Sequence, residues 1–343
     1  MSSRLVLVLA TLILPAVAHA ELLLSPGFTA QVYVTGDGFE GSAGRPGRGF
    51  PSSSTLTMDR RGILYIARTG RRYMGGEVED LWPVYRIPLG GATMTPATEA
   101  RFFYGPPLPN PMIAGIGAGG ELLVTTYDRD RRIGVLYRMI DGRAELLAGG
   151  TPERNGTPVL RQPEAVVVDT AGRMYVTDRA QGVVLRLDPT GRVLDPRWIT
   201  LRRPRLLGLG ERDQLFIGAD GDAEAPWQQG TGEIWKVGVD GVTAAVFRGP
   251  VAAGLAVSPS GHAFVADRHG GRVFALDGDG RPVELARFTE GDAPRALAFA
   301  PVTADTRRAG IAGDLLVVTI KGGAWPINEV IRISGAFDEL VRR

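Results

Sequence analysis

The side chains of this chain that could do chemistry are carboxylates and arginines, and they recur in one phrase. Asp128, Asp178 and Asp267 each stand directly before an arginine, in Asp128-Arg129, Asp178-Arg179 and Asp267-Arg268. Aspartates repeated at one place around an axis would ring it with oxygen donors, the hard ligands that suit Ca²⁺ or Mg²⁺. The same pattern also has a structural reading: such an Asp caps its own turn through local hydrogen bonds, and the Arg bridges to the next unit. Glu164 is the strongest single candidate for chemistry, because most copies of the phrase carry a small or neutral residue there. Asp178 would be its second oxygen ligand. Arg205 and Arg295 stand at positions equivalent to Glu164, and Arg68 and Lys321 would supply countercharge or hold an anion. The alternative for this group is a central salt-bridge cluster that seals a channel.

Other chemistries lack their residues. The chain has no cysteine and three histidines, of which His19 lies in the N-terminal apolar segment, leaving His262 and His269. A three-histidine zinc site is therefore excluded, and no Ser-His-Asp or Cys-His arrangement is readable.

These residues ride on a repeat. Residues 164–188 read EAVVVDTAGRMYVTDRAQGVVLRLD and residues 253–277 read AGLAVSPSGHAFVADRHGGRVFALD. Each copy is an apolar strand rich in small residues, a turn of the Asp-x-x-Gly or Ser-x-x-Gly kind, and a second apolar strand. Small residues suit strands crowded around a narrow axis. A third strand follows in every unit and a weaker fourth in most. Six units fit this template, with first strands beginning near Thr55, Ile113, Glu164, Arg205, Gly254 and Arg295. The fold class is all-β: a six-bladed β-propeller of four-stranded antiparallel blades. The sixth unit lacks a fourth strand, and residues 29–35 (TAQVYVT) alternate like a lone strand. They are expected to complete the last blade from outside and so remove a free edge. Helical periodicity is confined to residues 337–343.

In such blades the loops from second to third strand and from fourth to first strand open on one face, where a ligand would bind. The second-to-third loops of units one, four and six are long (residues 68–82, 220–232 and 321–328), and each holds a Trp beside a Pro: Trp82, Trp227 and Trp325. Long loops in a compact repeat are often functional. The three Trp are either aromatic arms around a charged funnel or plugs against their own neighbours. The ligand-binding set read from the sequence is Arg68, Trp82, Glu164, Asp178, Arg205, Trp227, Asp267, Arg295, Lys321 and Trp325. Under a metal-assisted alternative Glu164, Asp178 and Asp267 are the ligands.

The two quoted copies, with their Tyr/Phe-Val-x-Asp-Arg core, resemble NHL repeats. The chain over nearly all of residues 22–334 resembles the six-bladed superfamily that holds NHL proteins, the gluconolactonase (senescence-marker) family and the soluble aldose dehydrogenases. The opening Leu24-Ser25-Pro26-Gly27-Phe28 followed by QVYV is similar to the start of the last group. The resemblance implies the fold and leaves the activity open, because this fold hosts many functions. For the gluconolactonases it implies a divalent metal held by Glu, Asn and Asp. This chain departs from that set: GFPSS occupies residues 49–53 in place of Glu-Gly-Pro, and Pro204-Arg205-Leu206 replaces Pro-Asn-Gly. An arginine there repels a cation. The aldose dehydrogenases imply a His base beside a quinone, and His269 lies on the right face without the expected surroundings.

Residues 1–20 carry Arg4 as their one charge, an apolar run and Ala18-His19-Ala20, the pattern of a cleaved secretory signal peptide. Residues 21–343 then form a single propeller domain, expected in the bacterial periplasm or secreted, without a stable membrane span and without disulfides. Formal charge is +2 with no basic run, which excludes a nucleic-acid stripe. The expected function is binding of a small-molecule ligand or a periplasmic protein on the loop-rich face, with no cofactor. The alternative is a divalent-metal-dependent lactonase-type hydrolase holding Ca²⁺ or a similar ion, and the third is a quinone-dependent sugar dehydrogenase.

Overall fold

The computed structural model describes residues 22–40, 46–51, 53–68, 81–128, 133–150, 159–210, 213–225, 227–238, 241, 243–321 and 327–342. Six four-stranded antiparallel sheets follow one another along the chain. Their inner strands are Ser53–Met58, Met112–Ile116, Pro163–Val168, Pro204–Leu209, Gly254–Val257 and Ala293–Phe299. Each inner strand pairs on one side only, with the second strand of its own blade. Each also contacts the inner strands of the blades before and after it, and the sixth contacts the first. The inner strands therefore form a closed ring, and the protein is a six-bladed β-propeller.

The crowding of this ring explains the small residues at its centre. A Cβ on Gly115 would lie 2.3 Å from the carbonyl oxygen of Val166 in the next blade, and one on Gly254 would lie 2.9 Å from the Cα of Ala296. Both obstacles are backbone and cannot rotate away. Gly115→Ala is expected to cost about 1–3 kcal/mol by overpacking, read as a lower urea midpoint with an unchanged slope.

The turn phrase has its own chemistry. Asp59 Oδ1 accepts from the amides of Arg61 and Ile63, both at 2.9 Å. Asp169 Oδ1 accepts in the same way from Ala171 at 3.0 Å and Arg173 at 2.8 Å. The glycine that ends each turn sits at positive φ, +81° at Gly62 and +78° at Gly172, where a side chain would be strained.

Thr29–Gly36 runs antiparallel to Ile327–Ser334 as the fourth strand of blade six, with Thr29 opposite Ser334 and Val32 opposite Ile331, and Ala92–Met94 pairs in parallel with its far edge. Val34 of this strand is fully buried in the core between blades six and one. Just upstream, Leu22–Leu24 adds a fifth strand to blade five. The N-terminal segment thus ties two blades, while the sequence pattern pointed only to the sixth.

Three other details differ from the sequence reading. A second short helix, Ala304–Arg308, replaces the tight turn of blade six; it is held by Thr303 and Thr306 capping each other, and is too short to show a 3.6-residue period. Trp82 and Pro83 lie inside the third strand of blade one, Leu81–Ile87, and not in a loop. The second strand of blade two, Leu122–Asp128, runs on to the aspartate itself.

Candidate functional site

The axis of the ring encloses a cavity of about 430 Å³ lined by all six inner strands. Inner strands have one unpaired edge, so backbone donors and acceptors face this space together with side chains. Glu164, Arg205 and Arg295 occupy the same place in blades three, four and six. Each precedes by five residues the turn amide that closes its strand, at Asp169, Gly210 and Ala300. All three line the cavity, and Trp227, Arg268 and Asn110 line it as well.

Hydroxyls of neighbouring blades set these inner strands in place. Thr125 of blade two donates to the carbonyl of Glu164 at 3.2 Å, and Thr177 of blade three donates to the carbonyl of Arg205 at 3.1 Å. Glu164 is only 3% exposed, and its Oε1 accepts from Gln162 Nε2 at 2.9 Å. Burial pushes its carboxyl up from 4.5 to about 7, although Arg205 and Arg179 pull it down and Asp220 opposes them. A carboxyl held near neutrality can carry or release a proton at physiological pH.

The positive charges around it are held by Asp220. Arg179 Nε donates to Asp220 Oδ2 at 3.0 Å, and Arg205 Nε donates to both oxygens at 2.9 Å. Arg179 also donates to the carbonyls of Ala223 and Glu224, at 2.9 and 2.7 Å, and Arg205 donates to the carbonyl of Ala252. Here the arginine of the Asp-Arg phrase bridges to the following blade. Arg268, its counterpart in blade five, has no such acid. Ala219 of blade four and Thr319 of blade six lie opposite the proline before Arg205 and Arg295, so the place of Asp220 is taken by Ile320 in blade six. Among the described residues no carboxylate pairs with Arg268, and burial lowers its guanidinium pKa from the ordinary value. Asn110, at the top of blade two, has a left-handed backbone with φ of 43°, and its buried Oδ1 has no hydrogen-bond partner among the described residues.

Of the ten residues singled out by sequence, Glu164, Arg205, Trp227 and Arg295 meet at the axial cavity. Trp227 is 44% exposed, at the mouth. Asp178 ends the second strand of blade three, where the amide of Gln181 in the turn that follows donates to it at 3.0 Å and that of Arg161, before the inner strand, at 2.6 Å. Asp267 accepts from the Gly270 amide at 2.8 Å and from Arg272 Nε at 3.0 Å. Arg68 stacks 3.6 Å above the Trp82 ring and donates to Glu99 at 2.7 Å, so this Trp packs against its own blade. Lys321 pairs with Asp292 at 2.5 Å and Glu329 at 3.3 Å. The side chain of Asp128, Trp325 and most of the first long loop fall outside the described residues, as does the N-terminal apolar segment.

The residues named for a metal do not fit one. Glu164, Asp178 and Asp267 are each engaged elsewhere, and among the described residues no three acidic or histidine side chains converge. A Ser-His-Asp contact does exist on blade five, where Ser260 Oγ lies 3.1 Å from His262 Nδ1 and also bonds Asp338. The serine sits between the other two, so the Asp does not orient the imidazole as catalysis requires.

Arg268 and Asn110 were not singled out by the sequence. For Arg268 the signal was available, in the change from Asp220 to Ile320 between the blades that follow Arg179 and Arg268. For Asn110 the only cue was its place before Pro111.

No protein-family model matches the chain, and no curated protein matches it. Solved structures do. The virginiamycin B lyase from Staphylococcus aureus is 13% identical with a TM-score of 0.52, over 90% of this chain and 100% of that one. A gluconolactonase from Xanthomonas campestris is 14% identical with a TM-score of 0.52, over 92% and 99%. An auxiliary nutrient binding protein from Bacteroides ovatus is 11% identical with a TM-score of 0.57, over 90% and 77%. The chain thus has the six-bladed fold of the gluconolactonase-like and streptogramin-lyase propellers. At these identities the likeness concerns the fold alone. No helix among the described residues is long and apolar enough to cross a membrane.

Proposed function

We propose that this is an exported binding propeller, periplasmic or secreted, that takes a small ligand or a partner's side chain into the mouth of its axial cavity. The observation that carries this reading is the convergence of Glu164, Arg205, Arg295 and Trp227 on one enclosed space. Its volume lies within the ~300–1,000 Å³ range of ligand pockets. The fold shared with the auxiliary nutrient binding protein from Bacteroides ovatus supports this reading. The metal-dependent hydrolase alternative has no convergent ligand set among the described residues.

A small-molecule library screened by thermal shift, followed by titration on tryptophan fluorescence, tests this reading. Hits are expected to perturb Trp227, and Trp227→Ala should weaken them about tenfold, the loss of one stacking face. A library with no hits, or hits indifferent to Trp227→Ala, would count against an axial site. Metal analysis of the mature protein tests the alternative: one tightly bound divalent ion per chain, lost in Glu164→Gln, would favour it.

A further inference from the structure

We infer that the ligand of the axial cavity is a small organic anion, whose carboxylate or phosphate sits against Arg268 and whose flat or ring-shaped body lies under Trp227. This rests on the axial-site reading above and adds the ligand's charge.

The inference follows from how the cavity's charges are balanced. Arg205 and Arg179 share Asp220. Arg268 shares no acid among the described residues: blade six places the apolar Ile320 where blade four places Asp220. A half-buried guanidinium beside a cavity is costly unless something negative approaches it, and its planar fork matches carboxylate and phosphate. Arg295 lines the same space. Lys321 is neutralised by Asp292 and Glu329. Among the described residues the buried acceptor of Asn110 also has no partner at this cavity, and it suits a hydroxyl or N–H on the ligand body. A left-handed Asn held beside a cavity is local strain of the kind kept at binding sites.

The one acid in the lining, Glu164, opposes an anion when ionised and not when protonated. The charged groups that act on it are Arg205 and Arg179, which favour its ionisation, and their shared Asp220, which opposes it, with Gln162 as hydrogen-bond donor. Anion affinity is therefore expected to rise several-fold as pH falls from 8 to 6, with the slope lost in Glu164→Gln.

Four probes share one ring and differ in charge: benzoate, phenyl phosphate, benzamide and benzylammonium. They are titrated into the mature protein by calorimetry and ligand-observed NMR. Benzoate or phenyl phosphate is expected to bind at least tenfold tighter than benzamide, with benzylammonium weakest. The stronger of the two anions distinguishes a carboxylate from a phosphate head. Arg268→Gln should remove the preference while leaving the melting temperature unchanged, since the side chain holds no partner in the described fold. Trp227→Ala should weaken all binders alike. Equal binding of all four probes, abolished by Trp227→Ala, would overturn the anion inference and leave the axial site standing. Anion binding untouched by Arg268→Gln would overturn it also. No binding by any probe would overturn it too, while the axial site would still be judged by its own library screen.

Discussion

Asp220→Ala should destabilise the protein by about 3–5 kcal/mol, more than any other single change near the axis. The carboxylate is 2% exposed and is shared by Arg179 and Arg205, which are nearly as buried. Removing it leaves two guanidiniums in the interior without their acid. The cost of breaking a buried pair comes mainly from the charge left behind. Both arginines keep backbone carbonyls as acceptors, at Ala223, Glu224 and Ala252, which limits the loss but does not neutralise the charge. The measurement is equilibrium unfolding in urea. A loss below about 1 kcal/mol, the scale of a surface pair, would show that this cluster does not hold blades three and four together.

Glu164→Gln should act in the opposite direction, and only at higher pH. The folded carboxyl titrates at about 7 because of burial, against 4.5 for an ordinary one. Between those values the folded protein holds a proton that the unfolded chain has released. Stability is therefore fully present below about pH 4.5 and declines as pH rises towards 7. Each unit of difference corresponds to about 1.4 kcal/mol, so the whole decline is on the order of 3 kcal/mol. Glutamine keeps the shape and the hydrogen bond to Gln162 but has no charge to bury. The variant should match the wild type at pH 4 and exceed it by roughly 2–3 kcal/mol at pH 8. Parallel stability–pH curves for the two proteins would mean that Glu164 is ionised and satisfied in the fold.

The architecture was legible because a propeller repeats its physics. Asp59 and Asp169 cap their turns identically, and Gly62 and Gly172 take the same positive φ, so two copies taught the rest. The closing strand was legible from alternation alone: Val34 is buried where the pattern TAQVYVT places an apolar residue. Leu22–Leu24 was not, because a three-residue strand has no period to read. At the site, Glu164, Arg205 and Arg295 were visible as breaks in the repeat at one position. Asp178 and Asp267 looked equally placed, yet the rest of each Asp-Arg phrase folds back on them, and amide donors consume their oxygens. The fate of an arginine in that phrase depends on the next blade. Arg179 finds Asp220, whereas Arg268 faces a blade whose matching residue is Ile320. Only the ring of blades makes that neighbour relation explicit.

The most direct test of the axial anion site is a crystal structure of the mature protein grown with benzoate or phenyl phosphate. The expected result is ligand density in the cavity, its acidic group against Arg268 and its ring against Trp227, absent from Arg268→Gln crystals grown alike. Density found only on the outer faces of the blades, or retained unchanged in Arg268→Gln, would contradict it.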